Sequence, residues 1–205
     1  GWERPNFFAT DGMKQEDDWS FRRSNWFKAM EKECKNVKEN VGLLDMTAFA
    51  KCRIKGPKAE EFLDNLVANK LPKKIGRINL CHALNTKGGV HSEFTIMREA
   101  EDSFYLVSAG AFQRLDHDWI LKWMPNDGSV QFENLTNSTG VLVVSGPKAR
   151  ELMKKVSRDD FSNDNFKWLS SKKVDIGYAP CTAMRVNFVG ELGWELHHPI
   201  EYQNH

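Results

Sequence analysis

Two ten-residue stretches, "IKGPKAEEFL" at residues 54–63 and "VSGPKARELM" at residues 144–153, constrain the fold more than any other feature of the chain. Each reads as a strand, a Gly-Pro corner and an amphipathic helix, since proline suits a first helical position and the apolar residues then recur at helical spacing. Each is followed some 40 residues later by a strand carrying Met-Arg, at Met97-Arg98 and Met184-Arg185. The repetition has two readings: two structurally similar α+β units, or one local solution to the same corner used twice.

The rest of the chain fits an α+β plan around these corners. Residues 1–23 are polar and irregular and read as a connector arm, with Trp2, Phe7, Phe8, Trp19 and Phe21 placed to pin it onto a surface. A helix is expected from near Ser24 to Gly42, with Trp26, Phe27, Met30, Cys34, Val37 and Val41 three or four apart. "AKCRIKG" reads as a strand and "PKAEEFLDNLVAN" as a helix with Pro57 at its first position. "INLCHAL" and "VHSEFTIMR" read as a hairpin joined by "NTKGG". "SFYLVSA" is a further strand, and "FQRLDHDWILKWM" a helix whose stripe of Phe112, Leu115, Trp119, Ile120 and Trp123 is expected to be core.

Bulk properties narrow the function. With 205 residues, of which 40% are hydrophobic, the chain can bury a sizeable core. A net charge of +1 gives no general electrostatic reason to bind nucleic acid or an anionic membrane. No apolar run approaches the ~20 residues that cross a bilayer, and "GWERPNFF" lacks the layout of a secretion signal, so a soluble, non-secreted chain is expected. Cys34, Cys52, Cys81 and Cys181 stand far apart, which argues for buried free thiols and against a zinc knuckle or redox dithiol. His197 and His198 would face opposite sides of a strand and cannot hold one ion together, so no metal site is expected. Phosphate loops, dinucleotide fingerprints, the H-E-x-x-H helix and the esterase elbow are all absent.

Candidate chemistry lies in two hairpins. In "NFVGELGWELHHP", residues 187–199, Glu195 sits between Trp194 and Leu196 and must face away from the side that buries them. A tight hairpin with Glu191 and Leu192 at its tip would set Phe188 opposite Glu195. A ring and a carboxylate on one face suit a flat heterocycle, the ring by stacking and the acid by accepting two parallel N–H bonds. A solvated outer-face glutamate is the competing reading. In "GGVHSEFTIMR", Glu93 is out of phase with Phe94 and Ile96 and is a candidate general base or stabiliser of a cationic intermediate, against the alternative of an exposed, ion-paired carboxylate.

Together "GWERPNFF", "SFRRSNWF", "LDMTAFAKCRIKG", "LNTKGGVHSEFTIMR", "VSGPKARELM" and "FVGELGWELHHP" resemble the tetrahydrofolate-binding, aminomethyltransferase-like part of dimethylglycine dehydrogenase and sarcosine dehydrogenase. That part is related to the T protein of the glycine cleavage system. The resemblance implies an α+β fold of mixed or antiparallel sheets with flanking helices, incomplete at the C-terminus, with 1–23 following a flavin domain and 24–205 forming the folate domain. It implies an enzyme module that captures an iminium or formaldehyde-level carbon from a methylated amine as 5,10-methylenetetrahydrofolate. FAD would belong to an upstream flavin domain of the parent protein. The implied compartment is the cytoplasm in a bacterium or the mitochondrial matrix in a eukaryote.

By resemblance, Glu195 matches the glutamate that grips the pterin edge, and Phe188 a position usually held by tyrosine. The family's acidic residue near the reactive folate nitrogens maps to the Ser92-Glu93 pair, where the usual aspartate is replaced. Glu93 is one methylene longer, and a displacement near 1 Å can cost about a hundredfold in rate. Two further readings stand beside this one: a sulfur-to-folate methyltransferase like dimethylsulfoniopropionate demethylase, and a non-catalytic subunit like the pyruvate dehydrogenase phosphatase regulatory protein.

Overall fold

A computed structural model describes residues 3–205. Its helices are α1 (Phe27–Glu39), α2 (Ala59–Leu66), α3 (Gln113–Trp123) and α4 (Ala149–Val156). Its strands are β1 (Gly42–Asp45), β2 (Ala50–Lys55), β3 (Ile78–Leu84), β4 (Val90–Ala100), β5 (Ser103–Ser108), β6 (Gln131–Asn134), β7 (Thr139–Ser145), β8 (Ser171–Ile176), β9 (Ala179–Met184) and β10 (Gly193–Pro199). Every pairing is antiparallel. The strands form two five-stranded sheets, β3-β4-β5-β2-β6 and β8-β9-β10-β7-β1.

The two Gly-Pro corners are built alike. Gly56 and Gly146 have φ of +127° and +133°, a region in which an L side chain is strained. A Cβ on Gly56 would also collide with the Ser129 carbonyl oxygen, and one on Gly146 with that of Asn40. Those same oxygens accept the N–H of Lys58 and of Lys148, so glycine admits the chain to a position that closes each corner. Ala59 and Ala149 then start helices of 8 residues each, both fully buried against their sheets.

The likeness runs beyond the corners. A shift of 90 positions carries the β2–β5 pair Lys55↔Ser103 into the β7–β10 pair Ser145↔Gly193, and Arg53↔Tyr105 into Val143↔Glu195. Read in matching order, the sheets correspond strand by strand, which decides for two similar units rather than a chance corner. Their edge strands are exchanged, however. β1 directly precedes β2 yet pairs with β7, while β6 directly precedes β7 yet pairs with β2. Lys51, fully buried, ties the crossings together by donating to the carbonyls of Thr47 at 2.6 Å and Thr139 at 2.8 Å.

Three apolar clusters fill the layers. One lies between the first sheet and helices α2 and α3, around Phe62, Phe94, Phe104 and Ile120. A second lies between the second sheet and α4, around Met153, Phe161, Phe166 and Trp194. The third, with Ile78, Met97, Tyr105, Val107, Met184 and Val186, brings residues of both sheets together. β10 is therefore buried on both faces, unlike the half-buried strand that simple alternation suggests.

Several local expectations are corrected. The tight hairpin at Glu191 and Leu192 does not form: β9 ends at Met184, β10 starts at Gly193, and Met184, not Phe188, lies across from Glu195. On α3 the buried face is Asp116 and Ile120, while Phe112, Leu115 and Trp123 are about half exposed, because Asp116 turns inward to accept the Ser108 hydroxyl at 2.6 Å. Residues 3–23 contain no helix or strand, and Phe8, Trp19 and Phe21 are exposed rather than pinned; Trp2 lies outside the described residues. Cys34 is exposed on α1, whereas the other three thiols are buried. α2 begins at Ala59, with Pro57 in the preceding turn.

Candidate functional site

Glu195 holds a position that few carboxylates take. Strand alternation sends Trp194 and Leu196 into the α4-side cluster, so Glu195 and His197 point to the other face of β10. There the first sheet covers them, and both side chains are nearly sealed, at 10% and 3% exposure. Glu195 Oε2 lies 3.1 Å from His197 Nε2, and His197 Nδ1 lies 3.0 Å from the Tyr105 hydroxyl of β5. The tyrosine and imidazole rings meet edge to face at 5.4 Å. Burial, with the Glu195 charge beside it, pushes the Tyr105 phenol far above its usual range, so it keeps its proton.

A cleft of about 460 Å³ opens on one side of this chain of groups. Tyr105 and His197 line it, with Arg53, Glu99, Lys173 and His198, and Glu195 does not. Arg53 grips Glu99 through two bonds of 2.5 and 3.1 Å and reaches Glu133 at 2.6 Å. Burial alone would raise the Glu99 carboxyl, but the Arg53 guanidinium outweighs it and holds the group below its ordinary value.

The Ser92-Glu93 pair is split by the pleat. Ser92 is buried in phase with Phe94 and Ile96, on the helix side, and its hydroxyl lies 2.9 Å from His91 Nδ1. The His91 ring in turn stacks on Trp119 at 4.0 Å. Glu93 shares the phase of Met97, on the side of the second sheet, and its carboxylate is 63% exposed, 3.2 Å from His82 on the paired strand. Of the two, only Glu93 lies on the face of its sheet that carries Met97 toward the second sheet.

Phe188 is 94% exposed on the segment between β9 and β10 and forms no face with Glu195. Sequence reasoning missed His197 and Tyr105. The first carried a signal, because a residue two positions from Glu195 on a strand shares its face. Tyr105 carried none, since its partner lies 92 positions away in another sheet.

Fold and site define a class: an interleaved two-sheet α+β module with a buried carboxylate held between its sheets. The chain belongs to the family described as the GCVT N-terminal domain, whose model matches residues 1–205. It is 39% identical to mitochondrial dimethylglycine dehydrogenase of Rattus norvegicus over 202 residues, covering 98% of this chain but 24% of that protein. It is 32% identical to the mitochondrial pyruvate dehydrogenase phosphatase regulatory subunit of Mus musculus over 211 residues, covering all of this chain and again 24% of the relative. The chain thus spans about a quarter of the length of these relatives. The aminomethyltransferase T of the glycine cleavage system from Bartonella henselae shares its fold, with a TM-score of 0.73 and 22% identity over 84% of this chain and 46% of that one. No helix among the described residues is long and apolar enough to cross a membrane.

Proposed function

We propose that this chain binds tetrahydrofolate as the one-carbon-accepting module of a dimethylglycine or sarcosine dehydrogenase-like protein. The observation that carries the reading is the buried Glu195 carboxylate, which has one oxygen engaged by His197 and acceptor capacity left on the other. Such a group fits the amidine-like edge of a pterin, because parallel N–H donors match a carboxylate's two oxygens. Hydrogen bonds to a charged group contribute about 1.5 to 3 kcal/mol each, enough to orient a ligand. The likeness to dimethylglycine dehydrogenase adds the substrate class, a methylated amine.

Bound tetrahydrofolate would supply the nitrogens that accept a formaldehyde-level carbon. In this chain, Glu195 holds and orients the ligand, and Glu93 accepts or stabilises a proton near the reacting nitrogens. Ser92, facing the helices, shapes β4 beside Glu93 rather than touching the ligand. Phe188 meets the ligand from the segment before β10 and offers stacking without a tyrosine's hydroxyl. Oxidation of the amine belongs to an FAD-containing domain outside residues 1–205, with the arm at 1–23 as the connector to it and 24–205 as the folate domain.

Thermal denaturation with and without tetrahydrofolate tests the reading. A rise in Tm for the wild-type protein, most of it removed in Glu195→Gln, is expected; an unchanged wild-type Tm across the solubility range of the ligand would defeat it.

A further inference from the structure

Glu195 places a carboxyl group in a nearly sealed space, and among the described residues no lysine or arginine lies within ion-pair distance of it. Its one charged or polar partner there is His197, so the state of that imidazole decides what Glu195 offers a ligand. Two neutral tautomers are open to the ring. With hydrogen on Nε2, the ring donates to Glu195 Oε2 and its Nδ1 must accept; with hydrogen on Nδ1, a lone pair faces the carboxylate across 3.1 Å. Tyr105 bears on the choice, because its hydroxyl lies 3.0 Å from Nδ1 and burial keeps it a phenol with a hydrogen to give.

We propose that Tyr105 and His197 are positioning residues for the ligand of Glu195. Tyr105 O–H donates to His197 Nδ1, which places the ring hydrogen on Nε2, and Nε2–H then pins Oε2 so that the carboxyl group is held in one orientation. Oε1 and the remaining lone pair of Oε2 are then the two acceptors left for paired N–H donors of a planar ligand. The device spans both sheets: Tyr105 sits on β5 and the other two on β10, so ligand recognition depends on how the sheets pack. The inference rests on the proposed role of Glu195, but the hydrogen placement stands independently of any ligand.

Two measurements on the full chain decide it. Nitrogen-15 spectra of the imidazoles should find His197 as the Nε2–H tautomer in the wild type, with that preference weakened in Tyr105→Phe. An Nδ1–H tautomer in the wild type would overturn the proposal whether or not folate binds. Tetrahydrofolate titration should then show Tyr105→Phe weakening binding about fivefold. His197→Gln, which keeps a donor for Glu195, should bind more tightly than His197→Leu, which has none. In a Glu195→Gln background the Tyr105→Phe effect should vanish, because the route through Glu195 is already cut. An equal loss in both backgrounds would mark Tyr105 as structural only and sink the proposal. If the wild type binds no folate while the tautomer is as expected, the folate reading falls and the hydrogen placement survives.

Discussion

Tyr105 and Glu195 occupy the same place in their two sheets, the third residue of β5 and of β10, and a single imidazole joins them across the gap. The two units differ at this pair of matched positions. In one, an aromatic hydroxyl points between the sheets; in the other, a carboxylate does. The repeated plan gives two equivalent inward-facing places, and the unlike side chains there form a polar site beside the apolar cluster of Ile78, Met97, Val107, Met184 and Val186.

Removing the carboxylate separates binding from stability. Glu195→Ala leaves the buried Nε2–H of His197 without its acceptor, which costs about 1–3 kcal/mol. Glu195→Gln keeps an acceptor and should unfold close to the wild type. Urea titration should therefore rank wild type, Gln and Ala in that order, while both variants lose most of the folate-induced rise in Tm.

The corners predict a steep cost at one kind of glycine and a mild one at another. Gly146→Ala meets both strain at φ +133° and the Asn40 carbonyl, and should destabilise by more than ~3 kcal/mol. Gly88→Ala has φ +79° but nothing within 4 Å of its new Cβ, so about 1–2 kcal/mol is expected. Chemical denaturation of the two variants compares them directly, and equal costs would contradict the close approach at the corner.

Lys51 should make stability rise with pH. Burial pushes its ammonium down to about 8, against partial support from Asp45. The unfolded chain therefore holds this proton more tightly than the folded one, and the penalty is relieved as pH climbs from about 8 toward the ordinary lysine value of 10.5. Across that window the wild type should gain roughly 1 kcal/mol per pH unit relative to Lys51→Met. Parallel denaturation curves at several pH values read the difference, and a constant gap would show that the buried amine does not titrate there.

Exchange of β1 and β6 should make the two units unfold together. Phe62→Ala beneath the first sheet and Met153→Ala beneath the second each open a cavity and cost about 2–5 kcal/mol. Because each sheet contains a strand from the other unit, both variants should shift one shared transition. Hydrogen exchange on β5 and β10 would expose separate transitions if the units were independent.

Local order was legible along most of the chain. Residues 78–84 and 103–108 form the strands expected of "INLCHAL" and "SFYLVSA", and both Gly-Pro corners join a strand to a helix as expected, with the helix starting two residues after the proline rather than at it. Glu195 was legible as a residue turned away from Trp194, because the two-residue period of a strand is a local property. What covered it was not. β1 and β6 are only 4 residues long each, too short for a pattern, and their partners lie far away in sequence.

Tertiary packing made the remaining decisions. It buried Asp116 and exposed Trp123 on one helix, because the Ser108 hydroxyl gave the acid a partner that no periodicity records. It moved Phe188 off the strand and put Tyr105 opposite His197 instead. The sequence by itself determined the strand-to-helix corners and the face that Glu195 takes; only the folded chain decided what meets that face, since hydrogen bonds between residues 92 positions apart depend on how two sheets pack.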